Sequence, residues 1–284
     1  MCGMARWASL VEKRRSERPT ILVDGGDFHW SRATAHQDVK DRYFYKGMSY
    51  LGYDAIAIGE YETAAKLQSP FDTLKQYRLP FLSTNIVTAA KREPIAAQEI
   101  VKTFGGKRTV FGRMGGWRVG IFSVASPELV YPLGVNTPGT YHVVDPKIAA
   151  VDAVAKLRGE GCSAIVAISH QSWQESLDLA RDVAGINLVI ASHSVHGTSY
   201  AESVGRTLVV YPGPLGWYFT EVEITFAVGN PILEMKERCR ELTSTLGDPR
   251  LLKLNHDYLA EMAKFPVAHV PIDSSAARDT MPGR

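Results

Sequence analysis

The sequence contains few cysteines, and they give no paired framework. Only three occur among 284 residues, at Cys2, Cys162 and Cys239. Small secreted domains that depend on disulfides carry an even and much denser set. The cysteines therefore exclude a disulfide scaffold, and they leave the redox compartment open.

Long apolar runs and a charge imbalance are also missing. No apolar stretch approaches the roughly 20 residues of a membrane-spanning helix. Residues 1–9 are too short for the apolar part of a signal peptide, because a basic cluster follows at residues 13–18. As written, the chain is predicted to stay in the cytoplasm. The net charge of +2 favours neither a nucleic-acid nor a membrane partner, and the basic cluster is expected on the solvated face of a first helix.

What the sequence does contain is the pattern of an α/β protein. Its hydrophobic fraction of 45% and charged fraction of 22% are ordinary for a globular chain that buries its own core. Short apolar runs alternate with segments of helical spacing, without internal repeats or low-complexity stretches. Strands are predicted near residues 21–23, 55–58, 81–83, 164–168, 188–190, 208–211 and 219–226.

Two segments break this alternation. Gly115 and Gly116 lie between β-prone runs at 109–111 and 119–122, which predicts a hairpin and an antiparallel or mixed middle of the chain. The tail from about residue 234 is predicted to be helical before it fades into small and polar residues.

Four strand ends carry side chains that bind metals. Asp27, Glu60, His170 and His193 each follow a predicted buried strand. Functional groups in open α/β sheets collect beyond the carboxyl ends of the strands. Two carboxylates and two imidazoles at one such edge suit manganese, iron or zinc. Taken singly, each residue is equally consistent with a turn carboxylate or a hydrogen-bonded structural histidine.

Several stretches resemble the ordered motifs of the 5′-nucleotidase branch of the calcineurin-like metallophosphoesterases. The similarity covers roughly residues 3–227, and the shared order and spacing make it more specific than any single motif. Residues 22–28 resemble LDAGDF, 52–62 resemble GYDA…GNHE, 82–86 resemble LSANV, 168–170 match the SH strand end, 190–195 resemble GGHSQ or GGHTH, and 211–216 resemble QPGPYG.

The resemblance implies a fold and one metal site. The implied fold is a four-layer α/β sandwich, in which two mixed β-sheets lie face to face with helices outside. Asp27 corresponds to the aspartate that bridges two metals, and Glu60, His170 and His193 complete the second metal's ligand set. Glu60 replaces the family's asparagine. One divalent ion, Mn, Fe or Zn, is therefore expected, while a second site is doubtful.

Other family positions are occupied by different residues. The family's general acid, a histidine, corresponds to Tyr61, and its partner aspartate corresponds to Ala64. A tyrosine, with an unperturbed pKa near 10, is a poor acid at neutral pH. The last ligand of the GHSQ motif corresponds to Val195, and His196, one residue later, is a weaker candidate ligand. The resemblance therefore names the family and leaves turnover open.

Two further residues are candidates for substrate binding. Arg32, which follows the Asp27 loop, is a candidate for a phosphate contact, and Asn85 lies in the LSANV-like stretch. The expected partner is a small phosphoester, with no nucleic acid and no membrane span, and the oligomeric state is unknown.

The expected domain organisation is a metallophosphoesterase domain over residues 1–228 and a helical extension over 229–284. The family begins with a strand that carries an Asp-x-His pair for the first metal, and this chain is expected to start after it. The family's C-terminal nucleotide-recognition domain is also expected to be absent. Localisation is left open, since the sequence shows no signal peptide whereas relatives are typically periplasmic or exported.

Three functions fit these observations. The first is metal-dependent hydrolysis of phosphate monoesters such as 5′-nucleotides, by a protein whose true start lies upstream. The second is a degenerate, non-catalytic member that binds one metal or a ligand. The third is a relative of the thiosulfohydrolases. An Asp-x-His codon pair upstream of Met1 would favour the first over the second.

Overall fold

A computed structural model gives the chain an α/β architecture in which helices cover both outer faces of stacked β-sheets. The structure describes residues 2–27, 36–60, 62, 76–109, 112–114, 116–130, 141–193, 199–213, 218–227, 232–241 and 246–265.

Three of the described helices begin at residues whose side chains cap free backbone N–H groups. Asp145 accepts hydrogen bonds from the amides of Lys147 and Ile148, and Ser172 and Glu175 form a reciprocal capping box. None of the described helices is long and apolar enough to cross a bilayer. The described helices are α1 (Cys2–Glu17), α2 (Gln37–Leu51), α3 (Pro127–Val130), α4 (Pro146–Gly159), α5 (Trp173–Asp182) and α6 (Pro249–Met262).

The strands range in length from two residues to ten. They are β1 (Val23–Asp24), β2 (Ala55–Ala57), β3 (Phe81–Leu82), β4 (Ile86–Thr88), β5 (Glu99–Phe104), β6 (Lys107–Thr109), β7 (Gly112–Met114), β8 (Trp117–Ala125), β9 (Tyr141–Val143), β10 (Ala164–His170), β11 (Leu188–Ala191), β12 (Tyr200–Val204), β13 (Thr207–Tyr211), β14 (Tyr218–Phe226) and β15 (Ile232–Glu241).

Two sheets carry the strands that lead to the candidate site. The smaller sheet has the order β1-β2-β3 and is parallel. The larger sheet has the order β12-β13-β11-β10-β8-β5. Its four central strands are parallel, and the edge strands β12 and β5 are antiparallel to their neighbours. The pairs β4–β9, β6–β7 and β14–β15 are antiparallel.

Three apolar clusters separate the layers. One packs α1, α2 and α6 against the outer face of the smaller sheet, and another packs α4 and α5 against the larger sheet. A third cluster, which includes Ala57, Leu82, Ile121, Ile168 and Val210, lies between the sheets. This helix–sheet–sheet–helix order confirms the predicted four-layer fold.

The prediction of a helical tail is wrong for its first part. Residues 232–241 form β15, which pairs with β14 over most of its length, and among the described residues of the tail only α6 is helical. Glu, Lys and Arg in this segment favour a helix by intrinsic propensity, but burial of Ile232 and Met235 against the inter-sheet core favours the strand. The predicted domain boundary at residue 228 stays a prediction. Elements that follow it pack against elements that precede it: β15 pairs with β14, and α6 packs against α1 and α2.

Two smaller predictions also change. Thr109 pairs with Gly112, ahead of the glycine pair at which the hairpin is expected, and Gly115 itself lies outside the described residues. The basic cluster of α1 is less solvated than expected, because Arg14 pairs with Glu221 at 2.6 Å on β14.

Candidate metal centre

Four side chains of types that can bind a metal converge at the carboxyl ends of strands from two sheets. Asp27 and Glu60 follow β1 and β2 of the smaller sheet, His170 ends β10 of the larger sheet, and His193 follows β11. One ligand atom from each residue lies within 4.8 Å of all the others. The parallel order of the strands explains this convergence, because neighbouring parallel strands end at the same edge.

The shortest contacts join imidazoles of one sheet to carboxylates of the other. His170 Nε2 lies 2.8 Å from Glu60 Oε2 and 3.4 Å from Asp27 Oδ2. His193 Nδ1 lies 3.4 Å from Glu60 Oε1 and 3.8 Å from Asp27 Oδ2. Each carboxylate therefore faces both rings, as it does around a shared cation.

The loop after β1 turns Asp27 into the site. The Asp24 carboxylate accepts a hydrogen bond from the Gly26 amide at 3.0 Å, and Gly26 and Asp27 both have positive φ angles, 89° and 55°. Aspartate is among the few residues that tolerate the left-handed region. A Cβ at position 26 would lie only 3.0 Å from the Gly59 nitrogen and 3.1 Å from His170 Nδ1, so glycine is needed there for space as well.

Glu62 joins the two loops that carry the carboxylates. One of its oxygens, Oε2, accepts hydrogen bonds from the Gly59 amide at 2.7 Å and from the Asp27 amide at 2.9 Å. Burial, followed by the nearby charge of Asp27, raises the pKa of Glu62 to about 8. Because the hydrogen bonds span the two loops, Glu62 fixes the spacing between Asp27 and Glu60.

This arrangement predicts how Glu62 variants behave. Glu62→Ala removes the acceptor for two buried amides, and each unpaired group costs about 1–3 kcal/mol. We expect Zn²⁺ affinity, measured by isothermal titration calorimetry, to fall about 10- to 100-fold. Glu62→Gln keeps one oxygen in place and should lose much less. The control is Glu202→Ala, which removes an exposed carboxylate on β12. Equal affinities for Glu62→Ala and the parent would contradict this role.

His170 is the most deeply buried member of the group. Its Nδ1 lies 2.8 Å from the Gly25 carbonyl oxygen. Burial alone lowers the pKa of the ring, but hydrogen bonds and charges from Asp27 and Glu60 outweigh burial and raise the pKa to about 10. The two carboxylates thus stabilise a positive charge at Nε2, and a metal cation at the same position would replace that proton.

Burial differs sharply across the site. The side chains of His170 and Glu60 are 1% and 10% exposed, whereas those of Asp27 and His193 are 17% and 32% exposed. The group is therefore closed on the His170 side and reachable from solvent on the His193 side. Such an opening is typical of a site with a free coordination position rather than a closed structural site.

The residues present fit a divalent transition metal. Ligand bonds of about 2.0–2.2 Å place the ligand atoms of a tetrahedral site roughly 3.4 Å apart, and the imidazole nitrogens lie 2.8–3.8 Å from the carboxylate oxygens. Gly59 leaves the required space, since a Cβ there would lie 2.3 Å from Asp27 Oδ1 and 2.7 Å from His170 Nε2. The mixed oxygen and nitrogen donors suit manganese, iron or zinc.

The structure brings together only part of the predicted set. Arg32, Tyr61, Ala64, Val195 and His196 lie outside the described residues.

Asn85 needs a correction. It is fully buried, and its amide nitrogen donates to the carbonyls of Ala125 at 2.8 Å and Val144 at 3.0 Å. Its oxygen accepts from the Ala125 amide at 2.9 Å. The side chain thus ties β4 to the ends of β8 and β9, and a substrate role is not supported because its donors are already used.

Two residues around the metal ligands were missed by sequence reasoning. Glu62 matches the final glutamate of the GNHE-like stretch, and this match is the sequence signal that could have identified it. Ser192 stands where the GGH motif has its second glycine, and a polar residue in place of a glycine beside a ligand was the signal there. Both contact backbone that is distant in sequence.

Comparisons with known proteins agree with this fold. No family model matches the chain. The mouse 5′-nucleotidase is 30% identical over 197 residues, which are 68% of this chain and 32% of the mouse protein. The trifunctional nucleotide phosphoesterase YfkN of Bacillus subtilis is 25% identical over 222 residues, 69% of this chain and 15% of that protein. The chain thus spans about a third or less of these relatives' length.

Solved structures show the same fold at lower identity. The sulfate thiohydrolase SoxB of Thermus thermophilus has a TM-score of 0.78 at 20% identity, covering 92% of this chain and 47% of the other. The calcineurin-like phosphoesterase YfkN of Bacillus subtilis has a TM-score of 0.72 at 20% identity, covering 92% and 89%. Motif order, fold and the sequence match to 5′-nucleotidases together show that the chain belongs to the 5′-nucleotidase branch of the calcineurin-like metallophosphoesterase superfamily.

Proposed function

We propose that the chain is a metal-dependent hydrolase of phosphate monoesters, such as 5′-nucleotides, that binds one divalent ion through Asp27, Glu60, His170 and His193. The observation that carries the proposal is the convergence of these four ligand atoms within 4.8 Å. Among the described residues they are the one such group.

The charge of the group supports a transition metal with two or more positive charges. Asp27 and Glu60 together bring two negative charges, one more than the family pattern of aspartate and asparagine. A second carboxylate strengthens binding of a hard cation, so manganese or iron is favoured as well as zinc. A second metal is not part of the proposal, since Val195 stands at a family ligand position.

Some residues of the site hold the ligand groups in place, and others border the side from which a substrate can enter. His170 and Glu60 form the buried back of the site, and Glu62 holds the Asp27 and Glu60 loops at a fixed distance. Asp27 and His193 border the solvent-facing side, where a phosphate group can approach. A bound ion would supply Lewis-acid polarisation of a phosphoryl oxygen there.

The proposal is tested by metal removal and return. Purified protein is treated with a chelator, dialysed, and assayed with p-nitrophenyl phosphate before and after addition of Mn²⁺ or Zn²⁺. We expect weak hydrolysis that chelation abolishes and metal restores. Hydrolysis that is indifferent to chelation would contradict a metal-dependent reaction.

A second function is favoured by the residues at positions 61 and 64. Tyr61 and Ala64 replace the family's acid and its partner, which fits a member that binds a metal and a phosphoester without turning it over. Metal binding without restored hydrolysis in the same experiment would select this function.

A further inference from the structure

Ser192 lies directly behind the buried ligand His170. Its hydroxyl donates to the Gly25 carbonyl at 2.6 Å, with the Ser169 carbonyl at 3.1 Å as a second acceptor. The same oxygen lies 3.2 Å from His170 Nδ1. Ser192 therefore contacts both the ring and the carbonyl oxygen that the ring faces.

This arrangement determines which ring nitrogen carries a proton in the metal-bound state. The single hydroxyl proton of Ser192 is used on a backbone carbonyl, so its lone pairs face Nδ1. The Gly25 carbonyl, 2.8 Å from Nδ1, is an acceptor too. Two acceptors at Nδ1 hold a proton there, so a cation held between Glu60 and Asp27 would take the place of the Nε2 proton and meet the Nε2 lone pair.

The backbone at Gly25 is shaped to receive this serine. A Cβ at position 25 would lie 2.2 Å from Ser192 Cβ and 2.9 Å from its Oγ. The φ angle of Gly25 lies outside the left-handed region, so the close approach of Ser192, rather than the turn, accounts for glycine there. The two residues therefore fit each other across the two sheets.

We infer that Ser192 is a positioning residue for the metal site, which fixes the tautomer and orientation of His170 through its hydroxyl and the Gly25 carbonyl. This inference rests on the proposed role of His170 as a metal ligand. Ser192 itself is not one of the four ligand residues.

The test compares two variants that remove the hydroxyl. Ser192→Ala removes the hydroxyl alone, and Ser192→Gly removes the whole side chain, so that either remains usable if the other folds poorly. Zn²⁺ affinity is measured by isothermal titration calorimetry. The ring nitrogens of His170 are followed by two-bond ¹H–¹⁵N spectra of zinc-loaded protein. The matched control is Ser176→Ala on α5, which removes a buried hydroxyl that lies 2.9 Å from Ser169 Oγ.

We expect both Ser192 variants to bind Zn²⁺ about 10- to 100-fold more weakly and to shift the ¹⁵N resonances of His170. Ser176→Ala should retain the parent affinity and the parent resonances. Parent-like affinity and resonances in both Ser192 variants would overturn the inference while leaving the metal site in place. An equal loss in Ser176→Ala would overturn it as well, since the effect would then be general loosening. Absence of Zn²⁺ binding by the parent would refute the proposed function, and this inference with it.

Discussion

Asp27→Asn is expected to abolish binding of a divalent metal while leaving the fold intact. The substitution removes one of two negative charges from a site where Asp27 Oδ2 lies 3.4 Å from His170 Nε2 and 3.8 Å from His193 Nδ1. The affinity loss should exceed the roughly 10- to 100-fold expected when a residue that only supports a ligand is changed.

The backbone has no reason to move in this variant. Asparagine tolerates the left-handed conformation as aspartate does, and the φ angle at this position is 55°. Residue 27 donates its hydrogen bond to Glu62 from the backbone amide, so a change of its side chain leaves that bond in place.

Calorimetric titration with Mn²⁺ and Zn²⁺ measures the loss, and circular dichroism checks the fold. Asp152→Asn, which changes an exposed carboxylate on α4, is the control. Parent-like metal affinity in Asp27→Asn would mean that the loop after β1 is not part of the site.

The second large effect concerns the leaving group. We expect activated aryl phosphates to be hydrolysed weakly, and 5′-AMP slower still, by a further factor of about 10²–10⁴, the usual contribution of a positioned general acid. The family's acid corresponds to Tyr61, and a phenol with a pKa near 10 donates a proton poorly at neutral pH. A ribose hydroxyl leaves badly without that proton, whereas a nitrophenolate leaves without help.

Rates for 5′-AMP and for a series of aryl phosphates of graded leaving-group acidity, taken at saturating metal, measure this dependence. Tyr61→Phe is the matched variant, and it should change the 5′-AMP rate less than tenfold because little acid catalysis is there to lose. Robust 5′-AMP hydrolysis that is lost in Tyr61→Phe would contradict this prediction and show that Tyr61 protonates the leaving group.

The strand-end residues show what sequence reasoning captures well. The parallel-strand rule predicts Asp27, Glu60, His170 and His193 at one edge, and the structure brings their ligand atoms within 4.8 Å. This succeeds because short buried strands determine where the next residue emerges, and motif order supports the same alignment. The four-layer fold followed from the same features.

The rest depends on contacts that local sequence does not encode. β15 contains many residues that favour a helix, and its strand conformation depends on pairing with β14 and on burial of Ile232 and Met235. Glu62 and Ser192 matter only because they reach the backbone of Asp27 and Gly25, which lie 35 and 167 residues away along the chain. Asn85 was assigned to substrate by its motif, and its amide is instead used by backbone groups of β8 and the β9 end.

Metal content of the purified protein tests the central claim most directly. Elemental analysis by inductively coupled plasma mass spectrometry, after saturation with Mn²⁺ or Zn²⁺ and removal of free ion, measures the number of ions per chain. The four-residue site predicts about one ion per chain in the parent and none in Asp27→Asn. Two tightly bound ions per chain, or none together with a melting temperature that is unchanged by chelator and by added metal, would contradict it.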